Sequence, residues 1–322
     1  MRAAAAVGWM VGYSLLVLWG VVAPQCYATP LRVVTTVAPL TDMVQQVGHG
    51  VIHLHGLVPE GVNSHTFQPA PGDVKYLAEA DVIIVNGLHL EVPIEKLASS
   101  SGKPGRVIVK LGDQTLQRDE WLFDNSFPAA AGHPNPHLWL NVAYAITYVT
   151  LIQQHLSTLD HPNQAVYTQN AERYQAHLRQ LDGCIVTAIA TIPPAQRQLL
   201  TYHDSWPYFA RRYGMTVIGA IQPASFSEPS PRDVARIIDQ IRATKLPAIF
   251  GSEVFPSPVL EKIAAETHVR YIETLRDDVL PGVAGEARHS YIGMMLANVT
   301  TMVQALGGDT TEFLACTAAL QS

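Results

Sequence analysis

From Pro162 to about Thr191 the chain carries no further proline and a single glycine, with Ala, Gln, Leu and Tyr at helical spacing. This predicts one helix of roughly 30 residues, about 45 Å long and longer than one domain core requires. Such a helix reads as a stiff bridge between two lobes, and the flanking sequence supports that division. Before it, β-branched and apolar runs at Leu31 to Val37, Val51 to Val58, Asp81 to Val85 and Arg106 to Leu111 alternate with helical patterns. These include Asp42 to Val47, capped by Thr41, a helix opened by Pro71-Gly72-Asp73, and Asn141 to Leu159. After it, strands at Leu199 to Tyr202, Met215 to Ile221, Ala248 to Gly251 and Arg270 to Glu273 alternate with helices at Pro207 to Tyr213, Ser230 to Thr244, Pro258 to Thr267 and Ser290 to Leu306. Strands that alternate with helices imply parallel sheets. The expected class is α/β: two parallel-sheet lobes joined by one long rigid helix. The expected division is 1–28 as signal peptide, 29–160 as N-terminal lobe, 161–191 as linking helix and 192–322 as C-terminal lobe.

The chain of 322 residues carries 15% charged residues and a net charge of −6, with no run of five or six like charges. A polyanion partner such as nucleic acid is therefore not expected. At the start, Arg2 precedes an apolar run from Ala3 to Val22, and Cys26-Tyr27-Ala28 offers a small residue for cleavage. Export is the reading; an uncleaved anchor is the alternative, since the run is about long enough to span a bilayer. In both cases the body faces outward. Pro24 and Gln25 make Cys26 a poor lipid-attachment site. Cys184 and Cys316 remain, as a pair formed in an oxidising compartment or as two separate buried thiols.

Three histidines stand at turns beside prolines or strand ends. His65 sits in Asn63-Ser64-His65-Thr66-Phe67-Gln68-Pro69, after a strand. Two prolines set the path into His137, in Pro134-Asn135-Pro136-His137-Leu138-Trp139-Leu140-Asn141, and a strand runs directly into His203, in Thr201-Tyr202-His203-Asp204. Imidazole is the commonest ligand for zinc and related ions, and three imidazoles plus a carboxylate complete a shell around a divalent cation. The expected acid is Glu273, at the end of its strand; Asp278 is the competitor, with Asp277 or water behind it. His53 and His55, at i and i+2, point to one face of a strand and read as solvent facing. His89, His155, His161, His177 and His289 read as surface or packing residues.

These residues sit in a wider pattern. Val34-Thr35-Thr36-Val37-Ala38-Pro39-Leu40, Ser64 to Pro69, Asn86-Gly87-Leu88, Pro136 to Leu140, Asn170-Ala171-Glu172-Arg173-Tyr174, His203-Asp204, Glu228-Pro229-Ser230-Pro231 and Tyr291-Ile292-Gly293-Met294-Met295 run through nearly all of the mature chain. With them the chain resembles the metal-binding receptors of zinc and manganese ABC importers, a group of bacterial solute-binding proteins. The resemblance implies a metal in the interlobe cleft, little domain closure, and His65, His137 and His203 as the first three ligands, with an acid from the second lobe, where Glu273 stands. It further implies an ABC-type metal permease in the inner membrane as partner, a monomer, and a location in the periplasm or on the outer face of the cytoplasmic membrane. No catalytic cofactor is implied, and the bound ion is Zn2+, with Mn2+ as the alternative. Where relatives carry Asp after the second ligand's Trp-Leu, this chain has Asn141, which caps a helix equally well. Two other classes compete. An exported zinc hydrolase would keep an open position for water with a general base beside it, and neither a His-Glu-x-x-His helix nor the Gly-x-Ser-x-Gly elbow of a serine hydrolase occurs; a surface adhesin would use the metal only structurally.

Overall fold

A computed structural model describes residues 29–100, 103–254 and 257–320. The expected leader, 1–28, lies outside the described residues. The first half consists of β1 (Leu31–Thr35), α1 (Ala38–Gly48), β2 (Ile52–Gly56), α2 (Pro71–Glu79), β3 (Val82–Val85), α3 (Val92–Ser100), β4 (Val107–Lys110) and α4 (Leu111–Thr115). Its strands pair in parallel in the order β2-β1-β3-β4. Then α5 (Val142–Leu159) and α6 (Gln164–Ala190) lead to the second half. This half comprises β5 (Gln198–Thr201), α7 (Pro207–Tyr213), β6 (Thr216–Ala220), α8 (Pro231–Thr244), β7 (Ala248–Ser252), α9 (Pro258–Thr267) and β8 (Arg270–Leu275), and α10 (Tyr291–Ala305) and α11 (Thr311–Thr317) close the chain. Its sheet repeats the first, in the order β6-β5-β7-β8. In open parallel sheets ligands collect beyond the carboxyl ends of the strands, where the order reverses.

The bridging helix is as expected, with Pro162 in a single 3-10 turn (His161–Asn163) just ahead of it. It is more than a rod. Tyr167, Ala171, Tyr174, Leu178, Leu181, Cys184, Ile185, Ala188 and Ile189 form a buried stripe along α6. That stripe belongs to one continuous apolar core with Leu40 and Met43 of α1, Tyr148 and Ile152 of α5, Phe209 of α7 and Met294 and Val299 of α10. The two lobes therefore share a core, and smaller apolar clusters lie at their outer sides. Polar ties reinforce it: Asn170 donates to the Val47 carbonyl at 3.1 Å, and the Tyr174 hydroxyl to Asp42 at 3.3 Å. Cys184 on α6 and Cys316 on α11 form a disulfide, with Cα atoms 6.1 Å apart. This settles the open alternative in favour of a pair.

Two boundaries differ from the sequence reading in ways that matter. Helix α1 begins at Ala38 rather than Asp42, because Pro39 in its first turn is already preset for helix; Thr41 is internal and its hydroxyl turns back to the Val37 carbonyl at 3.1 Å. Strand β8 runs two residues past Glu273, to Leu275, after an irregularity in its pairing with β7. Helices α3, α4 and α11 escaped the sequence reading, being short.

Candidate metal centre

His65 lies in the loop after β2, where the Asn63 side chain accepts its N–H at 2.9 Å and fixes the turn. His137 follows the two prolines and is fully buried. Its approach is anchored from the first lobe: Asn86 donates to the Pro136 carbonyl at 2.9 Å and accepts from the Tyr148 hydroxyl at 2.6 Å. Asn86 is held in turn by Glu91, which accepts from its N–H at 2.8 Å and from Thr36 at 2.6 Å. Burial pushes the Glu91 carboxyl up to about 7. His203 leaves the end of β5 and is also buried.

The three rings converge. Their Nε2 atoms stand 3.1 Å apart for His65 and His203, and 3.3 Å apart for each of the other two pairs. At the zinc–imidazole distance, ligands at the corners of a tetrahedron lie about 3.3–3.4 Å apart, so this triangle has the dimensions of one face of such a shell. An amide sets each of the two buried rings. Asn135 Oδ1 stands 2.8 Å from His137 Nδ1, and Gln222 Oε1 stands 2.8 Å from His203 Nδ1. An amide oxygen only accepts, so the proton of each ring is on Nδ1 and the Nε2 lone pair faces the centre. Burial, and for His65 and His137 the neighbouring rings as well, holds these imidazoles well below their ordinary range; burial takes His203 down to about 4.

Glu273 does not join them. Its side chain is exposed, and the group that could hold a metal ion among the described residues is His65, His137 and His203 alone. Because β8 continues to Leu275, Asp277 and Asp278, both buried, follow the end of the strand. Like Glu273, neither of them joins the imidazole triangle. Glu253, after β7, accepts the N–H groups of Asp277, Asp278 and Val279 at 2.9, 3.0 and 3.1 Å and so pins the loop. The Ser64 hydroxyl, adjacent to His65, donates to Asp278 Oδ2 at 2.6 Å, while Asp278 Oδ1 is buried without a partner. Burial and the Glu253 charge raise the Asp278 carboxyl to about 7, against the Ser64 hydrogen bond. Asp277 is raised well above its usual range by burial and the Glu253 and Asp278 charges. Its backbone carbonyl accepts from Trp139 Nε1 at 2.7 Å, which joins the acidic loop to the His137 segment.

Aromatic rings close the remaining sides. Trp139 backs His137 at 5.1 Å, Phe127 sits 5.4 Å from His65 and 5.8 Å from His137, and Phe226 stacks on His65 at 4.6 Å. Gln222, Glu253, Phe127 and Phe226 escaped the sequence reading, since nothing local distinguishes them and only the fold brings them in. The other histidines are elsewhere: His55 stacks on Tyr76, His89 on His133, and His289 pairs with Glu60 at 3.3 Å. Asn141 caps α5 as expected, accepting the Ala143 N–H at 3.0 Å.

Known proteins match both sequence and fold. Residues 33–305 match the family model described as zinc-uptake complex component A, periplasmic. The zinc-binding protein TroA of Treponema pallidum is 32% identical over 284 residues, covering 85% of this chain and 88% of that protein. Its structure superposes with a TM-score of 0.78 over 87% of this chain and 99% of its own. The manganese-binding lipoprotein MntA of Halalkalibacterium halodurans is 28% identical over 276 residues, 86% of this chain and 88% of that protein. A Mn-bound periplasmic metal binding protein from Candidatus Liberibacter asiaticus is 25% identical with a TM-score of 0.74, covering 85% of this chain and 98% of that one. The chain belongs to the zinc-uptake component A family, the metal-binding substrate-binding proteins of ABC transporters, whose members are solute receptors and not enzymes.

Proposed function

We propose that this protein is an extracytoplasmic receptor that binds one zinc ion and hands it to an ABC-type import permease. The observation that carries the reading is the triangle of Nε2 atoms at 3.1–3.3 Å, with two of the rings held by amides in the metal-binding tautomer. Nitrogen-rich donor sets suit zinc, whereas manganese favours more oxygen. The fourth donor is a carboxylate of the Asp277–Asp278 pair. Asp278 is the first candidate, because its buried Oδ1 is unpartnered and Ser64 ties it to the loop of His65. The exposed position of Glu273 argues against that residue. The disulfide supports an oxidising compartment, consistent with export.

Manganese is the second reading, favoured by the two buried carboxylates of Asp277 and Asp278, tied to the His65 loop through Ser64, and by the name of the MntA relative. The test is elemental analysis of protein purified without added metal, followed by zinc–manganese competition. One tightly held zinc per chain supports the first reading, and manganese held as tightly as zinc supports the second.

A further inference from the structure

The imidazole cluster is not walled equally on all sides. His137 and His203 are buried, backed by Trp139 and by Asn135 and Gln222, whereas His65 is half-buried and its ring face is covered by Phe226, with ring planes 17° apart. Phe127, which also touches His65, is buried, but Phe226 is only half-buried and sits in a turn closed by its N–H to the Pro223 carbonyl at 2.9 Å. Ala224, Ser225 and Ser227 around it are exposed. Phe226 has φ of 56°, a backbone conformation that side-chain-bearing residues rarely adopt and that persists where the surroundings hold it.

What holds it is partly the ligand shell. The Gln222 amide places Oε1 at 2.8 Å from His203 Nδ1 and donates from Nε2 to the Phe226 carbonyl at 3.4 Å. One side chain thus sets the tautomer of His203 and steadies the turn that covers His65. If the amide rotates to release the turn, it also turns a donor toward His203 Nδ1–H and loses that bond. Turn position and His203 orientation are linked.

Resting on the reading of the cluster as a metal site, we propose that Phe226 is a kinetic gate: metal reaches and leaves the imidazoles by displacement of turn 223–227, and Gln222 holds the gate shut. A gate of this kind slows both directions and leaves the equilibrium nearly unchanged. Zinc association is measured by competition with a fluorescent indicator, and dissociation by stopped-flow capture with excess chelator, on wild type, Phe226→Ala and Phe226→Leu. Phe226→Ala is expected to raise both rates tenfold or more with Kd within about threefold, and Phe226→Leu, which restores an apolar cover, to return both toward wild type. Unchanged rates in Phe226→Ala would overturn the gate. So would faster dissociation alone with Kd loosened in proportion, since the ring would then be part of the binding surface. A wild-type protein that takes up no zinc would overturn the functional reading instead, so the two failures are separable.

Discussion

Asn135 accepts from His137 twice, from the backbone N–H at 3.0 Å and from Nδ1 at 2.8 Å, so one amide oxygen fixes both the turn and the tautomer of this ring. Its NH2 group is fixed in turn by Asp124 at 2.8 Å and by the Asp204 carbonyl. The amide therefore has one orientation available. Asn135→Ala is expected to weaken zinc binding by about ten- to a hundredfold, the usual cost of losing such a partner, with the fold retained. Competition titration against a chelator of known affinity reads this directly; an unchanged Kd would show that His137 needs no such support.

The acid of the site is separable by three conservative variants. Asp278→Asn keeps shape and removes charge, and is expected to cost roughly tenfold to a hundredfold or more in zinc affinity, in the range of other ligand-shell losses. Glu273→Gln, at an exposed position, is expected to change little. A loss confined to Asp277→Asn would move the ligand to the neighbouring carboxyl, while a loss confined to Glu273→Gln would return it to that exposed side chain and contradict the assignment.

The pH dependence follows from burial. Imidazoles must be neutral to ligate; burial lowers His203 to about 4 and holds His65 and His137 well below their ordinary range, which favours the neutral form in the apoprotein. The expectation from unperturbed histidines, weakening through about 6.5, is therefore displaced to lower pH. Asp278, raised to about 7, behaves oppositely: below that pH it carries a proton that the metal must displace. Zinc uptake at pH 6 is thus expected to release about one proton, with affinity falling up to tenfold per unit of acidification below 7. Calorimetry in buffers of differing ionisation enthalpy measures the number, and a release near three would mean that the histidines are charged in the apoprotein.

The Cys184–Cys316 bond closes a sequence separation of 132 residues and clamps α11 onto α6. Cys184→Ser combined with Cys316→Ser is expected to lower stability by about 2–5 kcal/mol. This appears as a Tm lowered by several degrees in calorimetry, with zinc affinity unchanged because the bond joins α6 to α11 and neither carries one of the three imidazoles. Equal melting of the variant and the wild type would contradict it.

Lobe motion on binding is expected to be small. The sequence suggested this from the stiffness of one helix, and the structure gives a stronger reason: α1, α5, α6, α7 and α10 share one core, so hinge closure would have to tear apolar contacts. Scattering profiles of apo and zinc-loaded protein should nearly superimpose, and a large compaction would contradict the shared core.

Much of this was legible in the chain because the signals were local. The proline-free run of α6, the strand–helix alternation and the prolines before His137 each announce an element or a rigid turn within a few residues. The three histidines were legible for the same reason. The exposure of Glu273 was not, because it depended on where β8 ends. An irregularity in pairing carries that strand past Glu273, and nothing in Arg270 to Asp278 marks the stop. Gln222, Glu253 and Phe226 were illegible because their roles arise only when distant strand ends meet, and the shared core was hidden because two repeats of one topology read as two independent bodies.

The central claim, a single zinc site made by His65, His137 and His203, is tested most directly by counting metal in the purified protein and in the His203→Ala variant while zinc and manganese compete. The expected result is one zinc per chain in wild type, with at least about a hundredfold preference over manganese from donor softness and geometry, and stoichiometric binding lost in the variant. Undiminished zinc in His203→Ala, or manganese bound as tightly as zinc in wild type, would contradict it.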